Sequence, residues 1–286
     1  MERIKVAIEK ARAAERVLAS DREPAPITPR PSSTMPPVRA GSEGPWAGPL
    51  NIKYAHTRVE QPDPAQLEKN RIIAHQKNHP NSWVFDTLRT QILQQMDENG
   101  WRVLAVTSPT VDCGKTTVAI NLAISIAQQI QRTALLLDFD LRRPCVANVL
   151  GLSTQVSLND VLQRGRDVGD AMVNPGFERL VLLPTARPVD RPAELLASPR
   201  VSEVLSDLRH RYADRIMVID LPPVLAADDV LTMLPKVDCV LMVVGSGASS
   251  EKEIEEAQRR LTKAPLLGVV LNKDQQRSLE IGRAHV

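Results

Sequence analysis

Val103-Leu104-Ala105-Val106-Thr107-Ser108-Pro109-Thr110-Val111-Asp112-Cys113-Gly114-Lys115-Thr116-Thr117 is the stretch that orders the rest of the chain. Its first five residues are apolar or β-branched, as a strand buried on both faces requires, and Thr116–Ile130 continues as an apolar helix. A strand, a tight loop and a helix N-terminus in succession aim backbone N–H groups at phosphate oxygens. Lys115 adds a point charge for β- and γ-phosphates, and Thr116 adds a hydroxyl ligand for Mg²⁺. The pattern G-x-x-x-x-G-K-[ST] is met in part, because Pro109 stands at the first glycine position. The expected ligand is ATP with Mg²⁺, cradled by Asp112, Cys113, Gly114, Lys115, Thr116 and Thr117.

Two further apolar runs end in acids. Ala134–Asp138 leads into Asp138-Phe139-Asp140-Leu141-Arg142, and Ile216–Asp220 leads into Leu221-Pro222-Pro223. Carboxylates at i and i+2 of a strand end share a side, and can hold one metal or divide base and metal roles. An acid closing a buried strand is costly unless it is paired or turned toward a metal, which makes Asp220 the expected Walker-B acid. Arg142 is read either as neutralising charge that develops in the reaction or as a bridge to Asp138.

Outside these motifs, apolar strand-like runs (Leu180–Leu183, Val240–Val244, Leu267–Leu271) alternate with helical patterns (Trp83–Met96, Cys145–Leu150, Leu158–Gln163, Val201–Arg211, Glu251–Leu261). Short strands that are apolar throughout imply an α/β fold, with a doubly wound, mostly parallel sheet covered on both faces. Right-handed crossovers then gather the strand C-termini, and with them the three motifs, on one edge. The expected domain spans 81–275. Before it stand an amphipathic helix at 1–20, with Ile4, Ile8, Ala11 and Leu18 on one face, and a Pro-rich linker at 21–80. Eight prolines between Asp21 and Leu50 keep that linker from burying enough apolar surface to fold. The N-terminal helix reads as docking on its own or a neighbouring subunit, or on a membrane surface.

Bulk composition narrows the class. In 286 residues, 36 Lys+Arg oppose 34 Asp+Glu, too even a balance for nucleic acid to be an expected partner. Cys113, Cys145 and Cys239 make no C-x-x-C pair, which excludes a disulfide framework and a cysteine zinc site and fits a reducing compartment. No run approaches the roughly 20 apolar residues of a membrane span, and Met1–Ser20 lacks the apolar core of a signal peptide. A cytoplasmic chain is expected, peripheral at the inner membrane through a partner.

Residues 81–273 resemble the catalytic domain of bacterial tyrosine kinases of capsule and exopolysaccharide synthesis (the CpsD/CapB type), within the MinD/ParA-like P-loop class. The resemblance rests on Thr107-Ser108-Pro109, Gly114-Lys115-Thr116-Thr117, Asn121-Leu122-Ala123, Asp138-x-Asp140-x-Arg142, Asp220-Leu-Pro-Pro, Glu194-Leu195-Leu196-Ala197-Ser198 and Gly268-Val-Val-Leu-Asn272-Lys273. MinD/ParA ATPases carry a further lysine five residues before the P-loop lysine; Thr110 occupies that place here, which favours the kinase branch. The resemblance implies transfer of the γ-phosphate of ATP to tyrosine, with Lys115 and Thr116 on phosphates and Mg²⁺. It makes Asp138 the base for the tyrosine hydroxyl, puts Asp140 and Asp220 on the metal, and gives Asn272 a part in reading adenine. Its implied partners are a membrane-embedded chain-length determinant that activates the kinase and further copies of the chain.

Departures from the family pattern are specific. Asp112 stands where glycine is usual, and Cys113 replaces another residue. The oligomerisation pattern E-x-x-R-x-x-R reads Trp83-x-x-Asp86-x-x-Arg89, so only Arg89 survives. The two tyrosines are Tyr54 and Tyr212, with none in 274–286. Because Ile281–Val286 reads as one translated frame of a sequencing adapter, residues 276–286 are expected to be an artefact of a truncated gene. Two other readings stand beside the kinase: a MinD/ParA-like ATPase switch, and an ATP-binding scaffold of the polysaccharide export machinery.

Overall fold

Alternation along the strands sets the architecture. In β2 (Val103–Thr107), Val103 and Ala105 enter one apolar layer, while Leu104 and Val106 enter the other. The same division separates Leu135 and Leu137 from Ala134 and Leu136 in β3 (Thr133–Asp138). It recurs in β6 (Arg215–Asp220) and β7 (Cys239–Gly245), whose residues are all buried. A strand with no solvent face needs helices on both sides.

The computed structural model describes residues 57–211 and 215–274. The N-terminal helix, the first part of the linker, both tyrosines and the tail lie outside the described residues. Among these, the remaining strands are β1 (Arg58–Val59), β4 (Val173–Asn174), β5 (Leu180–Leu183) and β8 (Leu266–Asn272). The helices are α1 (Pro64–Lys69), α2 (Ser82–Asn99), α3 (Lys115–Ala127), α4 (Val146–Leu150), α5 (Leu158–Arg164), α6 (Val168–Ala171), α7 (Pro192–Ala197), α8 (Pro199–Arg211), α9 (Asp229–Met233) and α10 (Glu251–Arg260). The sheet runs β1-β4-β5-β3-β6-β2-β7-β8, parallel throughout except for the β4–β5 pair. One layer is filled from α2, α3 and α4, the other from α5 to α10. The doubly wound α/β fold expected from the strand pattern is what forms.

The expected linker end at residue 80 needs correction. Residues 57–80 fold against the P-loop domain: β1 pairs with β4, and Leu67, Ile72 and Ala74 are buried in the α2–α4 layer. The binding is largely polar. Asn121 of α3, fully buried, accepts the N–H groups of Ile73 (2.8 Å) and Ala74 (2.9 Å) and donates to the carbonyl of Arg71 (3.0 Å). Gln128 donates to the Ala74 carbonyl, and the Asn70 amide to that of Val149.

Arg89, the one residue kept from the oligomerisation pattern, is turned inward. Its Nη1 donates to the Ser125 carbonyl (3.0 Å) and to Asp86 Oδ1 (2.9 Å), clasping α2 to α3. Trp83 and Val84 at the start of α2 are exposed.

Candidate functional site

The parallel register places Asp138 at the end of β3 directly beside Asp220 at the end of β6, and β2 runs into the loop at Ser108 next to them. Loop and acids are tied together by backbone. Val224 N–H donates to the Ser108 carbonyl, Leu225 N–H to that of Pro109, and the Thr107 hydroxyl to that of Pro222. Pro109, where the motif has glycine, therefore serves as an acceptor that ties the loop's start to the turn after β6.

Two left-handed residues shape the loop. Gly114 has φ 84°, and a Cβ there would collide with the Asn272 amide. Asp112 has φ 60°, a conformation Asp tolerates better than most side chains, which explains how it replaces glycine. Asn272, at the end of β8, donates its amide to the Cys113 carbonyl at 2.9 Å, bracing the loop from behind. The Cys113 thiol is buried beside Ser249 Oγ and Thr110 Oγ1. Burial raises its pKa, but those hydrogen bonds outweigh burial and hold it below the usual value. Thr110 itself donates to the Ala248 carbonyl and shares a 2.6 Å hydrogen bond with Ser249.

The four polar side chains expected at the centre do converge. Lys115 Nζ lies 2.9 Å from Asp140 Oδ2 and 3.4 Å from Asp220 Oδ1, and Thr116 Oγ1 donates to Asp220 Oδ2 at 2.6 Å. Burial works against the lysine's charge, yet Asp220 and Asp140 together hold its pKa well above the ordinary value. Asp138 is fully buried; its Oδ2 accepts the N–H groups of Cys145 (3.1 Å) and Val146 (3.0 Å), while its Oδ1 has no partner. Burial and the neighbouring Asp220 push its proton affinity up. Burial also raises that of Asp220, against the pull of Lys115 and Thr116.

Lys115, Thr116 and Asp140 line a cavity of about 330 Å³ together with Asp112, Gly114, Thr117, Arg143, Cys145 and Lys273. That volume suits a polyphosphate with part of its nucleoside. Asp138 and Asp220, both fully buried, are not part of the lining. Among the described residues no three His, Cys, Asp or Glu side chains are placed to hold a metal unaided. Mg²⁺ fits that arrangement, since it takes few protein ligands and completes its shell with water and phosphate oxygens. Three buried carboxylates against one lysine, with one carboxylate oxygen unpartnered, fit an added cation.

Arg142 does not enter the cavity. Its Nε and Nη2 reach Asp229 Oδ2 (2.7 Å) and Oδ1 (3.1 Å) at the start of α9, and Asp229 is fully buried. The bridge to Asp138 weighed from sequence is therefore replaced by a fork onto an acid 87 residues away. Sequence spacing carries no sign of that pair. Arg142→Ala leaves a buried carboxylate unpaired, and stability is expected to fall by about 2 kcal/mol, measured as a lower urea midpoint at unchanged slope.

A ParA family model, described as NUBPL iron-transfer P-loop NTPase, matches residues 101–283. The chain is 30% identical over 192 residues to tyrosine-protein kinase CpsD of Streptococcus pneumoniae serotype 4, covering 66% of this chain and 82% of that one. It is also 30% identical to tyrosine-protein kinase wzc of Salmonella typhi over 65% of this chain, but spans only 26% of that longer protein. The crystal structure of the VpsO kinase domain superposes with a TM-score of 0.62 at 31% identity, covering 72% of this chain and 98% of that one. The chain thus belongs to the MinD/ParA-like P-loop NTPases and, among them, to the bacterial tyrosine kinases of the CpsD/CapB type.

Proposed function

We propose that this chain transfers the γ-phosphate of ATP to a tyrosine hydroxyl on a protein substrate, in the service of capsule or exopolysaccharide synthesis. The observation that carries the proposal is that Lys115, Thr116 and Asp140 line one phosphate-sized cavity and that the lysine and threonine are bonded to the buried Asp220 behind it. Phosphoryl transfer asks a protein mainly for positioning and charge neutralisation, and this cluster is built for both.

The residues divide the work by position. The Gly114–Thr117 backbone and Lys115 receive the phosphates, and Thr116 with Asp220 holds Mg²⁺, which when bound neutralises charge on the β- and γ-phosphates. Asp138, fully buried beside Asp220 with one free oxygen, would add negative charge to the site. Its full burial moves the role of hydroxyl base, in our proposal, to Asp140 on the wall. Once phosphates draw Lys115 away, Asp140 Oδ2 accepts the tyrosine proton as the phenolic oxygen bonds to phosphorus and ADP leaves. Asn272 keeps its amide oxygen for the adenine amino group while its NH₂ braces the loop. Among the described residues no helix is long and apolar enough to cross a membrane. Activation through a membrane-embedded chain-length determinant is part of the proposal, as is assembly with further copies.

Thr110 supports the kinase reading over the ATPase switch, because the place of the signature lysine is spent on tying the loop to Ala248 and Ser249. The full chain incubated with γ-labelled ATP, Mg²⁺ and a tyrosine-rich peptide is expected to place label on tyrosine. Release of labelled phosphate without transfer would instead make the chain an ATPase switch, and tight binding with neither would make it a scaffold.

A further inference from the structure

The turn after β3 presents two arginines in succession, and they part company. Arg142 is committed to the buried Asp229. Arg143 is exposed and lines the phosphate cavity beside Lys115, Thr116 and Asp140. Its backbone N–H donates to Asp140 Oδ1 at 3.0 Å, which fixes the residue at the cavity wall. Among the described residues its guanidinium meets no carboxylate and no hydrogen-bond acceptor.

We propose that Arg143 grips the terminal phosphate of a bound nucleoside triphosphate and so sets the preference of the site for triphosphate over diphosphate. The inference rests on the nucleotide-site reading above, not on tyrosine as the acceptor. Charge supports it first. Asp112, Asp138, Asp140 and Asp220 lie in or under the cavity against Lys115. A nucleoside triphosphate brings about two more negative charges than one divalent cation removes, so the site is short of positive charge where the phosphates arrive.

Two cations line the cavity, Arg143 and Lys273. Lys273 follows β8, and its Cε lies 3.9 Å from where a Gly114 Cβ would be, against the loop's glycine. Arg143 is next to Asp140, the carboxylate that Lys115 Nζ touches, and a P-loop lysine reaches the β- and γ-phosphates. That neighbourhood is where the terminal phosphate arrives. A guanidinium fork matches phosphate geometry with two parallel hydrogen bonds, which an ammonium cannot reproduce.

The test is calorimetric binding of MgATP and MgADP to the full chain. Arg143→Gln is expected to weaken MgATP about tenfold or more while changing MgADP less than about twofold. Arg143→Lys, which keeps the charge and loses the fork, is expected to fall between. The melting temperature without nucleotide should not move in either variant, since among the described residues the side chain has no protein partner to lose. Arg142→Gln is the contrast: a lower melting temperature with the ATP-to-ADP ratio of the wild type. Equal weakening of both nucleotides by Arg143→Gln would reduce the residue to general attraction and overturn the proposal, as would an unchanged ratio. Wild-type protein that binds MgATP but never labels tyrosine removes the kinase reading alone, and the ratio still decides Arg143. Wild-type protein that binds neither nucleotide overturns both.

Discussion

Lys115→Met is expected to lower phosphoryl transfer on the order of 10³-fold and, in the same protein, to destabilise the nucleotide-free fold. Both effects come from one geometry. The ammonium is the cation that meets Asp140 and Asp220, and all three are buried. Removing it strips the charge that would meet the phosphates, and leaves carboxylates facing one another in a region of low dielectric. Breaking a buried pair from one side costs about 3–5 kcal/mol, softened here to the extent that an aspartate takes up a proton. The two losses can be separated. Adding Asp220→Asn to Lys115→Met removes one of the stranded charges and is expected to recover part of the stability while recovering no transfer. Single-turnover assays with labelled ATP, beside urea titrations of both proteins, read the two quantities independently. Transfer within tenfold of wild type in Lys115→Met would remove this lysine from the reaction. Transfer restored by the second substitution would show that the first acted only through folding.

What was legible in the sequence follows from the range of the interactions involved. Strands whose residues are apolar on both sides stand out in sequence, so β2, β3, β5, β6, β7 and β8 were readable nearly to the residue, although edge strand β8 is partly exposed rather than covered on both faces. The acids closing β3 and β6 were readable for a related reason, because an aspartate after a buried run stands out against the cost of burying it. Once the sheet is parallel, its edge brings the acids to Lys115 and Thr116 without further information. The two-residue strands β1 and β4 and the short helices α1, α6 and α9 were not readable. Too few residues are involved for a period to show, and tertiary pairing rather than propensity forms them. Which of Asp138 and Asp140 lines the cavity was not readable for another reason: burial is not written in i, i+2 spacing, and only Asp140 is in the lining. Arg142 was drawn to the site by its motif, whereas its actual partner, Asp229, sits 87 residues on with no local signature. Arg143 went unnoticed beside it, although it lines the cavity.

The segment 57–80 shows the same limit on a larger scale, and it yields the other large effect. The expected linker took it in because the Pro-rich run before it reads as a linker, although its own sequence is ambiguous. What holds its centre is one buried amide: Asn121 satisfies the N–H groups of Ile73 and Ala74 and the carbonyl of Arg71, while bonding the Thr117 carbonyl one turn back on its own helix. Asn121→Leu keeps nearly the same volume and removes every one of those partners. Each stranded backbone group costs about 1–3 kcal/mol, so the summed penalty approaches what the segment gains by burying Leu67, Ile72 and Ala74. The segment is therefore expected to detach rather than the whole domain to unfold. Trypsin should cut the variant at Lys69, Arg71 or Lys77 at a rate many times that of the wild type, before the core is attacked. Nucleotide affinity should fall with it, since Lys69, Asn70 and Arg71 share a second cavity with Lys273, which also lines the phosphate cavity. A variant that resists trypsin as the wild type does, with an unchanged urea midpoint, would mean that the apolar contacts alone hold the segment. The sequence reading of a weakly attached linker would then fail for a reason opposite to the one given by Asn121.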